Sequence, residues 1–176
     1  MFSVDRLRHG SVAADAKSTL DHPLEHLVAC HGRIEERLTI LQRAAENLEI
    51  KPEEARQALE SVFRYFETSG TNHTADEEES VFPRLAGKLT EEERAYIAAL
   101  ESQHQQAEDL YQHLRQGPQA DLSDYRSLVA RFCQLYREHI ASENERLIAT
   151  GKRLLSAQDL ASISAEMRRR RGIGAA

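Results

Sequence analysis

The sequence predicts an all-α protein, an up-and-down antiparallel four-helix bundle with a short fifth helix at its C-terminal end. Three observations predict it: the chain has only 8 Gly and 4 Pro, apolar residues recur every three or four positions, and the breaks between these stretches are short. We divide the chain into an N-terminal arm (1–20), the bundle (21–151) and a C-terminal helix with a basic tail (152–176).

Prolines mark the starts of the first two helices. Pro23 favours the first turn of a helix, and the apolar spacing that follows it continues to about Leu48. Pro52, followed by two glutamates, starts the second helix. Pro83 disturbs the end of that helix near Gly87.

Capping residues mark the third and fourth helices. Thr90 and Glu93 form a capping-box pattern at the start of the third helix, which ends at Gly117. Ser123 or Asp124 is expected to cap the fourth helix. Because the connections are short, we expect consecutive helices to be antiparallel neighbours.

The fourth helix is predicted to end at Gly151, and a shorter fifth helix follows from Ser156, with Asp159 in its first turn. The run of four arginines from Arg168 to Arg171 follows. At the end of a helix such a run is expected to be solvated, although it is also suited to touch a phosphate or an acidic partner.

Charge and hydropathy exclude several classes of function. The net charge of -6 argues against nucleic-acid binding. No stretch approaches the roughly 18 apolar residues of a membrane helix, and the first twenty residues contain no apolar signal-peptide region. We therefore expect a soluble cytoplasmic protein with no nucleic-acid or membrane partner. Cys30 and Cys133 lack CxxC spacing and are predicted to be small buried side chains.

One histidine falls on the inward face of each of the four bundle helices. The four are His31, His73, His104 and His139. In an up-and-down bundle they lie within about 6 Å of one level, at about 1.5 Å per residue. His22 and His26 lie off this face and are predicted to be surface or helix-end residues. An apolar core has no use for four converging imidazoles, so the pattern predicts a buried metal centre.

Two of these histidines are followed four residues later by a glutamate. The pairs His73 with Glu77 and His139 with Glu143 place an imidazole and a carboxylate one above the other on a helix. Four imidazoles and two carboxylates are too many for one tetrahedral zinc ion and suit two metal ions bridged by the glutamates. Because the donors are nitrogen and oxygen without thiolate, we expect iron, with manganese or zinc as alternatives.

The four helices also resemble a known family. They contain the segments DHPLEHLVACHGRIEERL, NHTADEEESVFPRL, LESQHQQAEDLYQHL and LYREHIASENERLI. Over about residues 20–150 these resemble a hemerythrin-like HHE cation-binding domain, and the pattern H-x-x-x-E-E-x-x-x-F-P is the most specific part. The resemblance implies a non-haem di-iron site with an oxo or hydroxo bridge, in a fold used for dioxygen carriage, oxygen or redox sensing and iron handling.

The resemblance assigns two histidines to each iron and makes two glutamates bridging ligands. These residues are His31 with His73, His104 with His139, and Glu77 with Glu143. Ferritin-like di-iron helices instead read Glu-x-x-His, with the carboxylate before the histidine. The order His-x-x-x-Glu in both pairs therefore favours the hemerythrin-like class.

Two positions depart from the family pattern. Hemerythrins in the strict sense carry a second histidine four residues after the first in the third helix, where this chain has Glu108; some HHE proteins carry a further ligand where it has Thr74. Glu108 is one turn from His104, so it is either a seventh ligand or a surface residue. Glu78 and Glu79 are expected to lie on a solvated face.

Three classes of function fit this pattern. The first is a protein that binds or senses dioxygen, nitric oxide or redox state. The second is an oxidoreductase acting on oxygen, peroxide or nitric oxide, and the third is a structural metal-binding bundle. No nucleophile triad or phosphate loop is visible, so we predict the first class, with a small diatomic ligand. Enzymatic turnover, a protein partner and a homo-oligomer are left open by the sequence.

Overall fold

The computed structural model describes residues 20–118 and 121–174, and these residues form helices and turns only. Five helices follow one another, and we name them α1 to α5. Their bounds, with the consecutive segments of α2 and α4 given separately, are Pro23–Asn47 (α1); Pro52–Tyr65, Phe66–Gly70, Thr71–Asp76, Glu77–Val81 and Phe82–Leu85 (α2); Glu91–Arg115 (α3); Leu122–Ser142, Glu143–Leu147 and Ile148–Leu154 (α4); and Ala157–Arg170 (α5). The predicted all-α bundle with a short fifth helix is confirmed.

The predicted arm, residues 1–20, lies outside the described residues except for Leu20, which is buried. Among the helices that the structure describes, none is both long enough and apolar enough to cross a membrane.

The helices α1 and α4 run antiparallel, because each end of α1 meets the opposite end of α4. Leu24 packs against Gly151, and Arg126 donates a hydrogen bond to the carbonyl oxygen of Ala45. The sequence predicts that the fourth helix ends at Gly151, but the helix continues to Leu154. A Cβ atom at Gly151 would lie 3.0 Å from Leu24 Cδ2, so this glycine permits close helix packing instead of ending the helix.

The predicted capping box at Thr90 is present, and Ser156 forms a second capping box at the predicted start of α5. The cap of α4 differs from the prediction. Asp121, not Ser123 or Asp124, precedes the first helical residue, and its carboxylate accepts a hydrogen bond of 2.8 Å from the Ser123 backbone N–H. Asp and Ser are both favoured at the N-cap, and the aspartate that comes first in the chain takes this position.

The core consists of two apolar clusters separated by a polar layer. Leu38 and Phe132 belong to the cluster at one end of the bundle, and Leu27 and Leu147 belong to the cluster at the other end. The polar layer between them contains six of the seven predicted metal ligands. Cys30 and Cys133 are buried free thiols, as expected. A polar layer inside a close-packed core needs partners for its charges, because unpaired buried charges are costly.

The end of α5 is bound to α2 through a buried carboxylate. Asp76 is 0% exposed; its Oδ1 lies 2.7 Å from Arg170 Nη1, and its Oδ2 lies 2.6 Å from Arg171 Nη2. Arg170 also donates a hydrogen bond of 2.7 Å to the Ser80 hydroxyl. The prediction of a solvated arginine run is therefore wrong for these two residues, because the buried charge of Asp76 requires cationic partners. It is also wrong for Arg168, whose side chain is 11% exposed and pairs with Asp21.

We expect Asp76→Asn to lower the free energy of unfolding of the metal-free protein by about 3 kcal/mol, since it leaves two partly buried guanidinium groups without their counterion. Urea unfolding measures this change. Glu79→Gln is the matched control: Glu79 also contacts Arg170 but is 67% exposed, so its loss should cost below about 1 kcal/mol. Equal effects of the two substitutions would contradict the stabilising role of the buried ion pairs between Asp76 and the two arginines.

Candidate metal centre

Two π-helical turns lie at the polar layer, and each begins at a predicted bridging glutamate. Glu77 is the first residue of the turn Glu77–Val81, and Glu143 is the first residue of the turn Glu143–Leu147. Turns of this kind widen a helix locally and are common at functional sites. Both glutamate side chains are fully buried, so the backbone irregularity coincides with the charged groups at the bundle centre.

A first group of potential ligands comprises His31, His73, Glu77 and Glu143. Each residue offers one ligand atom, and these four atoms lie within 4.8 Å of one another, close enough to hold a metal ion. Nε2 of His31 lies 3.2 Å from Glu143 Oε2 and 3.8 Å from Glu77 Oε1. Nε2 of His73 lies 3.4 Å from the same Glu77 oxygen. The two imidazole rings meet edge to face, with their centroids 4.9 Å apart.

A second group comprises His104 and His139 with the same two glutamates. The two histidines face each other through their Nε2 atoms, which are 3.0 Å apart, a spacing that two ligands of one ion can have. Nε2 of His104 lies 3.3 Å from Glu77 Oε2, and Nε2 of His139 lies 3.1 Å from Glu143 Oε1.

Glu77 and Glu143 connect the two groups through opposite oxygens. Oε1 of Glu77 faces His31 and His73, while its Oε2 faces His104. Oε2 of Glu143 faces His31, while its Oε1 faces His139. A carboxylate that presents one oxygen to each of two ion positions has the arrangement of a bridging ligand.

Three of the histidines are oriented by a hydrogen bond to Nδ1. The partners are Asn144 Oδ1 for His31 at 2.7 Å, Glu78 Oε1 for His104 at 2.8 Å and Gln103 Oε1 for His139 at 2.9 Å. An acceptor at Nδ1 keeps the proton on that nitrogen and leaves Nε2 available as a ligand. The roles of Asn144 and Gln103 were not predicted, and Glu78 is exposed as predicted but also contacts His104. The signal in the sequence is that each of the three directly adjoins a predicted ligand in the chain.

The central atoms lack hydrogen-bond partners within the part of the chain that the structure describes. They are both oxygens of Glu77, both oxygens of Glu143, Nε2 of His31 and both ring nitrogens of His73. Leaving such groups unsatisfied in a core is costly, whereas metal ions satisfy them directly. Nitrogen and oxygen donors without thiolate fit iron, manganese or zinc, so the residues present fit the implied metal.

The pKa values describe how the metal-free protein balances these charges. Burial lowers the pKa of His31, but the carboxylates of Glu143 and Glu77 more than offset this effect, and the pKa rises to about 10. Burial likewise lowers the pKa of His104, yet Glu77 and Glu78 raise it to about 9. Burial raises the pKa of Glu77, but the neighbouring histidines hold it well below its usual value. Without metal, His31 and His104 therefore carry protons at neutral pH.

We expect the metal-free protein to lose stability as the pH rises from 7 to 9. Both folded-state pKa values, about 10 for His31 and about 9 for His104, lie above the ordinary value of 6.5. The stabilisation that they give is therefore complete below about pH 6.5 and is lost as the pH passes through the folded-state values. Thermal melting in the presence of a chelator measures this loss. The loss should be smaller in His31→Gln, and a melting temperature that rises over this interval would refute the assignment.

Comparison with protein families identifies the same segment of the chain. The model of the hemerythrin HHE cation binding domain matches residues 22–150, which contain all six of these side chains. The chain belongs to the hemerythrin HHE family. No curated protein matches the chain. A hemerythrin HHE domain binds cations, and among the described residues the two His/Glu groups have a geometry that could hold a metal ion.

Glu108 and Thr74 occupy the two positions at which the chain departs from the hemerythrin HHE pattern. Glu108 is exposed, its carboxylate accepts a hydrogen bond from the Gln112 amide, and it belongs to neither potential ligand group among the described residues. Thr74 is half-buried. Of the seven candidate ligands, the structure thus brings together six and places Glu108 apart.

His26 is buried, which differs from the prediction. It was predicted to be a surface or helix-end residue, but its side chain is 2% exposed, whereas His22 is exposed as predicted. Burial, reinforced by the nearby Arg171, lowers the pKa of His26 to about 3, so its imidazole is neutral. Spacing within the four bundle helices does not indicate this burial, because α5 packs against α1 as an additional neighbour.

Proposed function

We propose that this protein is a non-haem di-iron protein that binds or senses dioxygen, nitric oxide or redox state. The observation that carries the proposal is the pair of shared carboxylates: Glu77 and Glu143 each direct one oxygen to His31 and the other oxygen to the His104–His139 pair. Two ions held by shared carboxylates and by two histidines each would use the four unsatisfied carboxylate oxygens, Nε2 of His31 and one ring nitrogen of His73.

The residues around these positions have separate roles in the proposal. His31 and His73 would hold one iron, His104 and His139 would hold the other, and Glu77 and Glu143 would bridge. Iron supplies a change between the ferrous and ferric states and a binding position for a small ligand. The acceptors Asn144, Glu78 and Gln103 fix the imidazole orientations, and the carboxylate of Glu78 contributes to raising the pKa of His104.

An oxidoreductase acting on oxygen, peroxide or nitric oxide is the second candidate. A cavity between α2 and α3 reaches His104, so an exogenous molecule has access to the second group of ligands. A structural bundle, for example with zinc, has no need for such access. Continued turnover with an added reductant would favour the oxidoreductase, and a colourless protein without redox activity would favour the structural role.

Metal analysis and an absorption spectrum of freshly purified protein test the proposal. We expect two iron ions per chain and visible absorption that changes on reduction and on exposure to dioxygen or nitric oxide. One metal ion per chain would exclude the two-ion centre. Two zinc ions with no redox response would exclude the sensing and oxygen-binding functions while leaving the ligand assignment intact.

A further inference from the structure

A cavity of about 700 Å³ lies between α2 and α3 and ends at the candidate metal centre. Its walls include Phe66 and Glu78 of α2, His104 and Tyr111 of α3, and Tyr136 of α4. His104 belongs to the second ligand group, and none of the other five proposed ligands lines the cavity. The cavity therefore approaches the centre from the side of the second ion position.

His104 is the proposed ligand through which the centre can be reached. Its side chain is 9% exposed, whereas the side chains of His73 and His139 are each 4% exposed and those of the two glutamates are 0% exposed. Behind it, Glu77 Oε2 lies 3.3 Å from His104 Nε2 and has no hydrogen-bond partner among the described residues. An ion that passes His104 thus meets a buried carboxylate oxygen with no other partner.

The walls of the cavity are strongly acidic. Five carboxylates line it, and they belong to Glu67, Glu78, Glu79, Glu101 and Glu108. Arg115 of the lining lies 3.0 Å from Glu67 Oε1, and Arg170, outside the lining, lies 3.2 Å from Glu79 Oε2. Glu78 contacts the imidazole of His104, so Glu101 and Glu108 are the lining carboxylates that have no cationic partner among the described residues. A concave surface with an excess of negative charge concentrates cations and raises their rate of arrival.

Glu78 extends from the solvent to the inner end of the cavity. Its side chain is 40% exposed, and its Oε1 lies 2.8 Å from His104 Nδ1. The other oxygen, Oε2, has no hydrogen-bond partner in the part of the chain that the structure describes. Glu78 can therefore hold the imidazole of His104 with one oxygen and contact an arriving cation with the other.

We propose that a hydrated divalent cation reaches the buried centre through the cavity between α2 and α3, and that Glu78 is the carboxylate that receives it beside His104. The inference rests on the proposed metal-binding function. It adds that the cation enters from one face of the bundle, and that Glu78, which is not one of the six proposed ligands, contacts the cation on its way in.

The rate of cobalt loading tests the route. Co²⁺ is mixed rapidly with the metal-free full-length protein, and its visible absorption reports occupation of the centre. We expect Glu101→Lys, which reverses a charge one turn from His104, to slow loading by about threefold or more at low ionic strength. The difference should shrink at high salt, because salt screens exposed charges, and the final cobalt content should stay that of the unmodified protein.

Glu36→Lys is the matched control. Glu36 is an exposed glutamate of α1, a helix that contributes no residue to the cavity, and its reversal changes the net charge equally. Loading of this variant should match that of the unmodified protein. Equal slowing of both variants, or slowing of neither, would overturn the route. If the unmodified protein binds no cobalt at all, the proposed metal-binding function fails instead.

Glu78→Gln tests the receiving residue separately. The amide oxygen retains a hydrogen-bond acceptor for His104 Nδ1 but carries no charge for the cation. We expect slower loading that high salt does not restore to the unmodified rate, with the centre still filled at the end of the reaction. Loading as fast as in the unmodified protein would show that Glu78 has no part in cation entry.

Discussion

Replacing Glu77 or Glu143 by alanine should remove both metal ions from the chain. Each carboxylate contacts histidines of both groups, so its loss takes an oxygen ligand from both ion positions at once. His73→Ala, by contrast, removes a ligand from the first group only and should leave the second ion in place. Metal content per chain, measured by elemental analysis after purification, should therefore fall from about two to near zero in the glutamate variants and to about one in the histidine variant.

Glu145→Ala controls for a general effect of removing a carboxylate from this turn. Glu145 lies two residues after Glu143 in the same π-helical turn but is exposed, so its replacement should leave metal content unchanged. Circular dichroism would establish that every variant retains its helices. A Glu77→Ala protein that still holds one ion per chain would contradict the bridging role of this residue.

The convergence of the four histidines could be predicted because helical periodicity fixes both the face and the level of a residue. His31 continues a run of apolar positions in α1, and His139 does so in α4. Short connections make neighbouring helices antiparallel, so the distance of each histidine from its helix end gives its height in the bundle. The His-x-x-x-Glu spacing then places a carboxylate beside the histidine, as the 3.1 Å between His139 Nε2 and Glu143 Oε1 shows.

The π-helical turns could not be predicted from this periodicity. Simple spacing in α2 places Ser69 on the inward face, but the turn Phe66–Gly70 shifts the register by about one residue. Gly70 is buried in place of Ser69, and His73 then returns to the inward face. A π-helical turn depends on the packing of the whole bundle around it, and no residue type in α2 marks it.

The contacts of α5 also depend on information that a helix-by-helix prediction lacks. The apolar face of α5 predicts that the helix packs on the bundle, but it does not indicate against which helices. Once α5 lies against α1 and α2, Arg170 and Arg171 reach Asp76, and His26 is covered. The wrong expectations for His26 and for the arginine run therefore share one cause.

We expect removal of the metal to lower the melting temperature substantially. Metal binding stabilises the folded state by about 4 kcal/mol for each ion at a thousandfold excess over its dissociation constant. Because about 1 kcal/mol corresponds to about 2 to 4 °C in a domain of this size, loss of two ions should lower Tm by roughly 15 °C or more. The physical source is the layer of unsatisfied atoms at Glu77, Glu143 and His73, which the metal-free protein compensates only in part by protonating His31 and His104.

Differential scanning calorimetry with and without a chelator measures this shift, and restoring the metal should reverse it. Glu77→Ala provides the internal comparison: because it is expected to bind no metal, its Tm should not respond to the chelator. If the unmodified protein melts at the same temperature with and without metal, the ions do not bind at the buried layer, because ligands that are buried on folding couple metal binding to the stability of the fold.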